Sequence, residues 1–311
     1  MASKTVQTSI INIDNKKLDF ETILLSDLIN NKPVTQFGRT IELKYVDEKP
    51  NYILGVMVTT KREGIPPKHK TSNDLYSPLD LDDDEGLAYA NVFLYDKGTK
   101  ILMYEFNKNG VYLQKFCDHL RMLTNSTEEF GVFNITPAPL LNIEAYNRMI
   151  QMNFYKSIEI QIAQPDELIN DFKDKNDSLK NILKFGKEIN SNYLTIILDV
   201  KQRRKEGLFN NIVQRVTNTL MSLGGKKDDE DLIKKVEITG YENDPDDPNS
   251  NVKSIVDLVL DKYKCTMAIE EKRILKDLQI QDRKTAIQEL YNKNITEYKK
   301  IVSIQKKHKL N

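Results

Sequence analysis

Two runs of apolar, β-branched and aromatic residues, 88–95 and 101–106, are joined across Asp96-Lys97-Gly98-Thr99, with Lys100 leading into the second. Such runs on either side of a short Gly-containing link fold back on each other as an antiparallel hairpin, because the link fixes the register and the runs supply the paired faces. A hairpin this apolar needs neighbours. Ile41, Leu43 and Tyr45 alternate with polar residues, and residues 52–60 are rich in apolar and β-branched side chains, so both predict further strands of the same sheet. After Asn109-Gly110 the period changes: Leu113, Phe116, Cys117, Leu120 and Leu123 recur at three and four and predict a helix. Residues 130–135 predict another strand, stopped by Thr136-Pro137-Ala138-Pro139. Together these elements predict a sheet-rich, mainly antiparallel N-terminal domain over residues 1–150.

The second half alternates strand and helix signals. Strands are predicted at residues 157–163, 193–200 and 235–241, with helices at 166–188, broken near Asp177, and at 208–223, where Gly224-Gly225 supplies the stop. This alternation predicts parallel or mixed pairing through crossover helices, a mixed α/β domain over residues 151–268. Residues 251–264 read as a further helix or strand-helix piece, after a solvated loop at 242–249 with two prolines and four acids. From Glu270 to His308 the chain is helix-friendly. Ile280, Ile287, Tyr291, Tyr298 and Ile301 form a seam interrupted by Lys284 and Asn294, so residues 269–311 read as a long amphipathic helix. That helix either packs on its own domain or serves self-association or a protein partner through residues 270–308. The fold class expected is α+β.

Several chemistries are excluded by what is absent. Cys117 and Cys265 are too few and too far apart for a disulfide framework, which fits a reducing compartment. Residues 1–17 lack an apolar core of signal-peptide length, and the densest apolar stretches, 52–58 and 193–200, are far shorter than a membrane span. A soluble cytoplasmic protein is expected. The three histidines His69, His119 and His308 do not combine with the cysteines into a zinc site, and no phosphate-binding glycine loop or nucleophile elbow occurs. Cys117, Asp118 and His119 are adjacent, but neighbours on a helix point away from one another, so Cys117 reads as a buried core thiol. Lys plus Arg and Asp plus Glu both number 46, so the chain is not a globally basic nucleic-acid binder.

Local charge leaves three candidates. The acids Asp80, Asp82, Asp83, Asp84 and Glu85 suggest calcium, but Glu85 stands where an EF-hand loop needs Gly and Asn91 where it needs Glu. They read as carboxylates that keep a loop hydrated or that face the basic residues Lys61, Arg62, Lys68, His69 and Lys70 across the sheet, with a cation site of another kind as the alternative. A metal-dependent nuclease would hold Mg2+ between Asp166 and Asp199, with Lys201 orienting water, provided the strands ending near these residues are adjacent and parallel. The alternative is charged strand ends without catalysis. Lys201, Arg203, Arg204 and Lys205 precede a predicted helix N-terminus, where anions are favoured, so with Lys61, Arg62 and Lys68 they are the candidate nucleic-acid contacts.

The segments Ile53-Leu54-Gly55-Val56, Ile65-Pro66-Pro67-Lys68-His69, Pro78-Leu79-Asp80-Leu81, Asp83-Asp84-Glu85-Gly86-Leu87-Ala88-Tyr89 and Asn91-Val92-Phe93-Leu94-Tyr95-Asp96 resemble an uncharacterised bacterial family. Ile238-Thr239-Gly240-Tyr241 and Leu258-Val259-Leu260-Asp261 extend the resemblance over most of the chain. It implies a setting near mobile elements and phage-defence genes and brings no catalytic residues. The expectation is therefore a non-enzymatic sensor or accessory component that binds a protein partner and possibly nucleic acid, without a resident cofactor. The alternatives are the nuclease and a structural oligomer.

Overall fold

Leu87–Asp96 and Ile101–Glu105 pair antiparallel in the computed structural model, with Phe93 opposite Tyr104 and Tyr95 opposite Leu102. Asp96 shapes the link: its carboxylate accepts from the Thr99 N–H at 2.6 Å and from the Thr99 hydroxyl at 2.7 Å. Lys100 closes the link in the left-handed region at φ 63°. The structure describes all residues except 1, 16, 37, 126, 128, 170–177, 201–206, 209–231, 244–250, 260, 271–276 and 309–311.

The first strands are β1 (Ala2–Ile13), β2 (Val34–Gln36), β3 (Arg39–Glu48), β4 (Tyr52–Lys61), β5 (Lys68–Lys70), β6 (Leu75–Ser77), β7 (Leu87–Asp96) and β8 (Ile101–Glu105). They are followed by β9 (Ile135–Pro139), β10 (Phe154–Ala163), β11 (Tyr193–Asp199), β12 (Ile233–Asn243), β13 (Asn251–Asp257) and β14 (Lys264–Ile269). The described helices are α1 (Phe20–Leu25), α2 (Leu113–Thr124), α3 (Ile143–Gln151), α4 (Pro165–Leu168), α5 (Ser178–Glu188) and α6 (Ile280–His308). This is the α+β class expected. The chain forms two compact units, residues 1–136 with 265–293, and residues 137–264 with 294–311.

The first unit is built on a sheet of order β14-β1-β8-β7-β4-β3-β2. Residues 90–96 of β7 and 53–59 of β4 are buried without interruption, so both faces of the central strands are covered. On one face Phe116 of α2 packs against Phe93, Tyr104 and Phe20, with ring centroids 5.1, 5.3 and 6.3 Å away. Cys117 is buried beside it, which matches its reading as a core thiol. The opposite face meets residues 280–293 of α6. Arg283 pairs with the buried Glu105, and Tyr291 donates to Asp96. Lys284, one of the two polar interruptions in the seam, donates to the Tyr45 carbonyl and lies 2.6 Å from Asp47. Those acceptors sit at an irregularity in β3 where Tyr45 has φ 55°, so the lysine satisfies backbone that the ladder leaves unpaired.

The second unit carries a sheet of order β11-β10-β12-β13, antiparallel at every junction. This corrects the parallel or mixed pairing expected there. Gln164 N–H donates to Asn192 C=O at 2.9 Å, so the chain returns to the end of β10 from which it left. The helical segment between β10 and β11 is an insertion in a hairpin, whereas a parallel pair would need it to cross the sheet. Ile158, Ile160 and Ile162 alternate inward along β10 and meet Ile196, Val236, Ile238 and Val256.

Three local expectations also change. The strand predicted at residues 130–135 is instead Ile135–Pro139, because proline is tolerated wherever a strand's N–H is not needed. Of the two readings of residues 251–264, the all-helix one gives way, because residues 251–257 are strand. The last helix starts at Ile280, because Gln279 has φ 50° and a left-handed residue cannot continue a right-handed helix backwards. The helix predicted at 208–223 lies outside the described residues.

His119 on α2 is buried, and among the described residues its Nε2 has no hydrogen-bond partner. Burial holds its pKa down at about 4, against an ordinary 6.5. The unfolded chain therefore binds the extra proton first as pH falls, so His119 favours folding above pH 6.5 and that contribution is lost as pH drops towards 4. By pH 5 the loss is about 2 kcal/mol. Urea unfolding at pH 7.5 and pH 5 should show it, and His119→Leu should remove most of this difference. An equal fall in the variant would disprove the assignment.

Candidate protein-interaction site

β4 and β7 are neighbours in perfect register from Tyr52↔Asp96 to Lys61↔Leu87. The chain leaves the sheet after Lys61 and re-enters at Leu87, so residues 62–86 form an arm rooted in two central strands. Pro66-Pro67 and Pro78 bracket its small hairpin, where proline ends ladder pairing. Between them β5 and β6 pair as Lys68↔Ser77, His69↔Tyr76 and Lys70↔Leu75, all with exposed side chains. The His69 ring stacks on Tyr76 with centroids 4.4 Å apart, and its Nε2 lies 2.9 Å from Asp74. At the return, Gly86 passes the Lys61 carbonyl so closely that a Cβ would sit 2.6 Å from it.

The arm encloses an open pocket of about 610 Å³. Ile65, Pro67, Pro78, Leu79 and Leu81 give it apolar walls, Tyr76 adds an aromatic face, and Arg62, Asp82, Asp83 and Glu85 add charge. Glu85 accepts from the Asp82 N–H at 3.1 Å and its own N–H donates to the Asp82 carbonyl at 2.9 Å, which holds the acidic turn compact. Such a lining suits recognition better than catalysis: Ser77 lines the pocket, but the imidazole of His69 is engaged by Asp74 and Tyr76. Leu75, Tyr76 and Leu81 are exposed despite their size, Tyr76 at 65%. A second cavity of about 540 Å³ lies between Ile143 and the α6 residues Thr296, Lys299, Lys300, Ser303 and Ile304.

The sequence-derived candidates separate. Lys61 and Arg62 stand at the root of the arm and Lys68 on β5. The basic charges there are mixed with acid: residues 61–85 hold four Lys and Arg against seven Asp and Glu. Lys201, Arg203, Arg204 and Lys205 lie outside the described residues. Asp166, in α4, follows the end of β10 at Ala163, which pairs with Tyr193, whereas Asp199 pairs with Ser157 at the other end of β10. Six residues of strand at about 3.3 Å each place those two ends about 20 Å apart. The expectation that both carboxylates emerge on one edge fails because the strands are antiparallel, and at that separation they do not share a metal ion. Among the described residues no group of three His, Cys, Asp or Glu could hold a metal. No helix among them is long and apolar enough to cross a membrane. Cys117 and His119 are both buried, and burial raises the Cys117 thiol pKa, so that neighbouring pair is not poised for nucleophilic chemistry.

Sequence reasoning missed Leu75, Tyr76 and Leu81. Their signal was present as large apolar residues close to prolines inside a charged stretch, but only the exposure separates them from a small satellite core. Compared with known proteins, a model of a family described as of unknown function matches residues 38–302, which includes the whole arm. No curated protein matches.

Proposed function

The chain belongs to that family, DUF6731, and we propose that it is a non-enzymatic sensor or accessory component that binds a protein partner through the arm between β4 and β7. The observation that carries this reading is the exposure of Tyr76 and Leu81 at the 610 Å³ pocket, with Leu75 exposed on the same hairpin. Large side chains gathered on one exposed projection mark interaction surfaces, and tyrosine is among the residues that dominate binding energy. The excess of acid over base on the arm favours protein over nucleic acid, whose phosphates would be repelled. Ile287, Tyr291, Tyr298 and Ile301 are buried, so these seam positions of α6 are not free to meet a partner. The resemblance noted above supplies the setting, a bacterial mobile-element or phage-defence system.

A photo-crosslinker placed at Tyr76 in the native cell should trap a single protein species. Leu81→Asp should abolish the trapping, and Tyr76→Ala should weaken the affinity for the trapped partner by about thirtyfold, as a hot spot of about 2 kcal/mol requires. Both positions are exposed, so neither change should move the unfolding midpoint. Equal crosslinking from the exposed control position Val132, or trapping of nucleic acid instead, would overturn the reading.

A further inference from the structure

β11 forms one edge of the four-stranded sheet, and among the described residues no strand pairs with its outer side. Natural edge strands are blunted by lysine, proline or a bulge, because a row of unpaired N–H and C=O groups templates another strand. β11 has none of these. Its sequence, YLTIILD, carries a single charge at its last position, and its register with β10 runs from Ala163↔Tyr193 to Ser157↔Asp199 without a shift. The other edge, β13, is guarded by Lys253. Exposed apolar side chains gather at β11: Tyr193, Ile197 and Leu198 on the strand, Phe185 and Ile189 on and just after α5. Ile197 is 61% exposed. α5 packs beside the strand: a Cβ at Gly186 would meet Leu194 at an ordinary van der Waals distance of 3.9 Å, and Phe185 and Ile189 lie one and three residues from that contact.

We infer that β11 is the interface of a two-fold symmetric dimer, in which β11 of a second copy adds antiparallel to this edge, centred on Ile196. The strand is complementary to its own reverse. About that centre Leu194 faces Leu198, Thr195 faces Ile197, and Ile196 faces its own copy. Leu194, Ile196 and Leu198 lie opposite Ile162, Ile160 and Ile158 of β10, so these pairs extend the apolar face of the sheet into the second copy. Asp199, the only charge, falls opposite Tyr193 and not opposite another carboxylate, so no like charges meet. The exposed parts of the five apolar side chains amount to on the order of 400 Å² per copy, given about 150–250 Å² for a buried aromatic. That is about half of the roughly 800 Å² each partner contributes to a stable interface, and the paired backbones and the other β11 side chains supply the rest.

Light scattering and sedimentation of the full chain should show a dimer dissociating in the micromolar range. Ile197→Lys should weaken it by at least about tenfold. The same change leaves the monomer folded, because Ile197 is 61% exposed and Glu159, which already pairs with Lys235, stands across from it on β10. Ile196→Cys should oxidise to a covalent dimer, since directly opposed antiparallel residues have Cα atoms about 4.5–5.5 Å apart, within disulfide reach. A wild-type chain that stays monomeric at tens of micromolar overturns the inference. So does a dimer that Ile197→Lys leaves intact and Ile196→Cys does not trap.

Discussion

Replacing Glu105 by alanine is expected to destabilise the first unit by about 3–5 kcal/mol, the cost of leaving a buried charge without its counter-ion. Glu105 is fully buried on β8 and Arg283 is 8% exposed on α6. One carboxylate oxygen takes the Arg283 guanidinium, the other accepts from the Val92 N–H at 3.1 Å, and Asn91 donates to the Glu105 carbonyl at 2.9 Å. Arg283 in turn donates from Nε to the Leu278 carbonyl at 2.9 Å, so the largely buried guanidinium is held in place from both sides. Removing the carboxylate strands that cation and frees the Val92 N–H. The double replacement Glu105→Leu with Arg283→Met removes both charges and should recover most of the loss, since apolar residues of similar volume often substitute for a buried pair without penalty. Denaturant unfolding of the wild type and the two variants tests this. A single Glu105→Ala within about 1 kcal/mol of wild type would show that water reaches the guanidinium and that the pair is not the clamp described.

The same residues show why some of this fold was legible and some was not. The β7–β8 hairpin was readable because Asp96, Gly98 and Thr99 encode the link locally, and α2 because Leu113, Phe116 and Leu120 keep helical spacing. β1 was not. Its residues Lys4, Thr5, Gln7 and Thr8 look soluble, and it becomes strand through pairing with residues about a hundred positions away, from Val6↔Glu105 to Ile10↔Ile101. Strand direction in the second unit was equally hidden, because alternating helix and strand patterns are common to a crossover and to a hairpin with an insertion. The contact that decides between them, Gln164 to Asn192, has no local signature. For the candidate site, charge was visible and exposure was not. Lys61, Arg62 and Lys68 were found by their type, while Tyr76 and Leu81 gain meaning only when the fold leaves them without a core to enter.

Phe116→Ala should cost about 3–5 kcal/mol, the usual range for emptying a buried aromatic site. The reason lies in how the ring is seated. Gly55 on β4 is opposite Phe93 on β7, and a Cβ at Gly55 would overlap the Phe93 ring. Phe93 therefore lies across the glycine and shields its backbone, and Phe116 covers Phe93 from the helix side at 5.1 Å between centroids. Phe20 stands edge-on to Phe116, with 87° between ring planes, and edge-on to Tyr95 at 5.0 Å, so the group has shape-specific contacts that smaller side chains do not fill. Phe116→Leu keeps most of the volume and should cost less than about 1.5 kcal/mol, which provides a graded series should the alanine variant unfold. These two substitutions act on the same two strands from which the arm projects. Partner trapping at Tyr76 should therefore fall together with the folded fraction in Phe116→Ala, whereas Leu81→Asp should lose trapping with the unfolding midpoint unchanged. If Phe116→Ala instead left both stability and trapping at wild-type levels, the Gly55-Phe93-Phe116 stack would not be what holds the root of the arm.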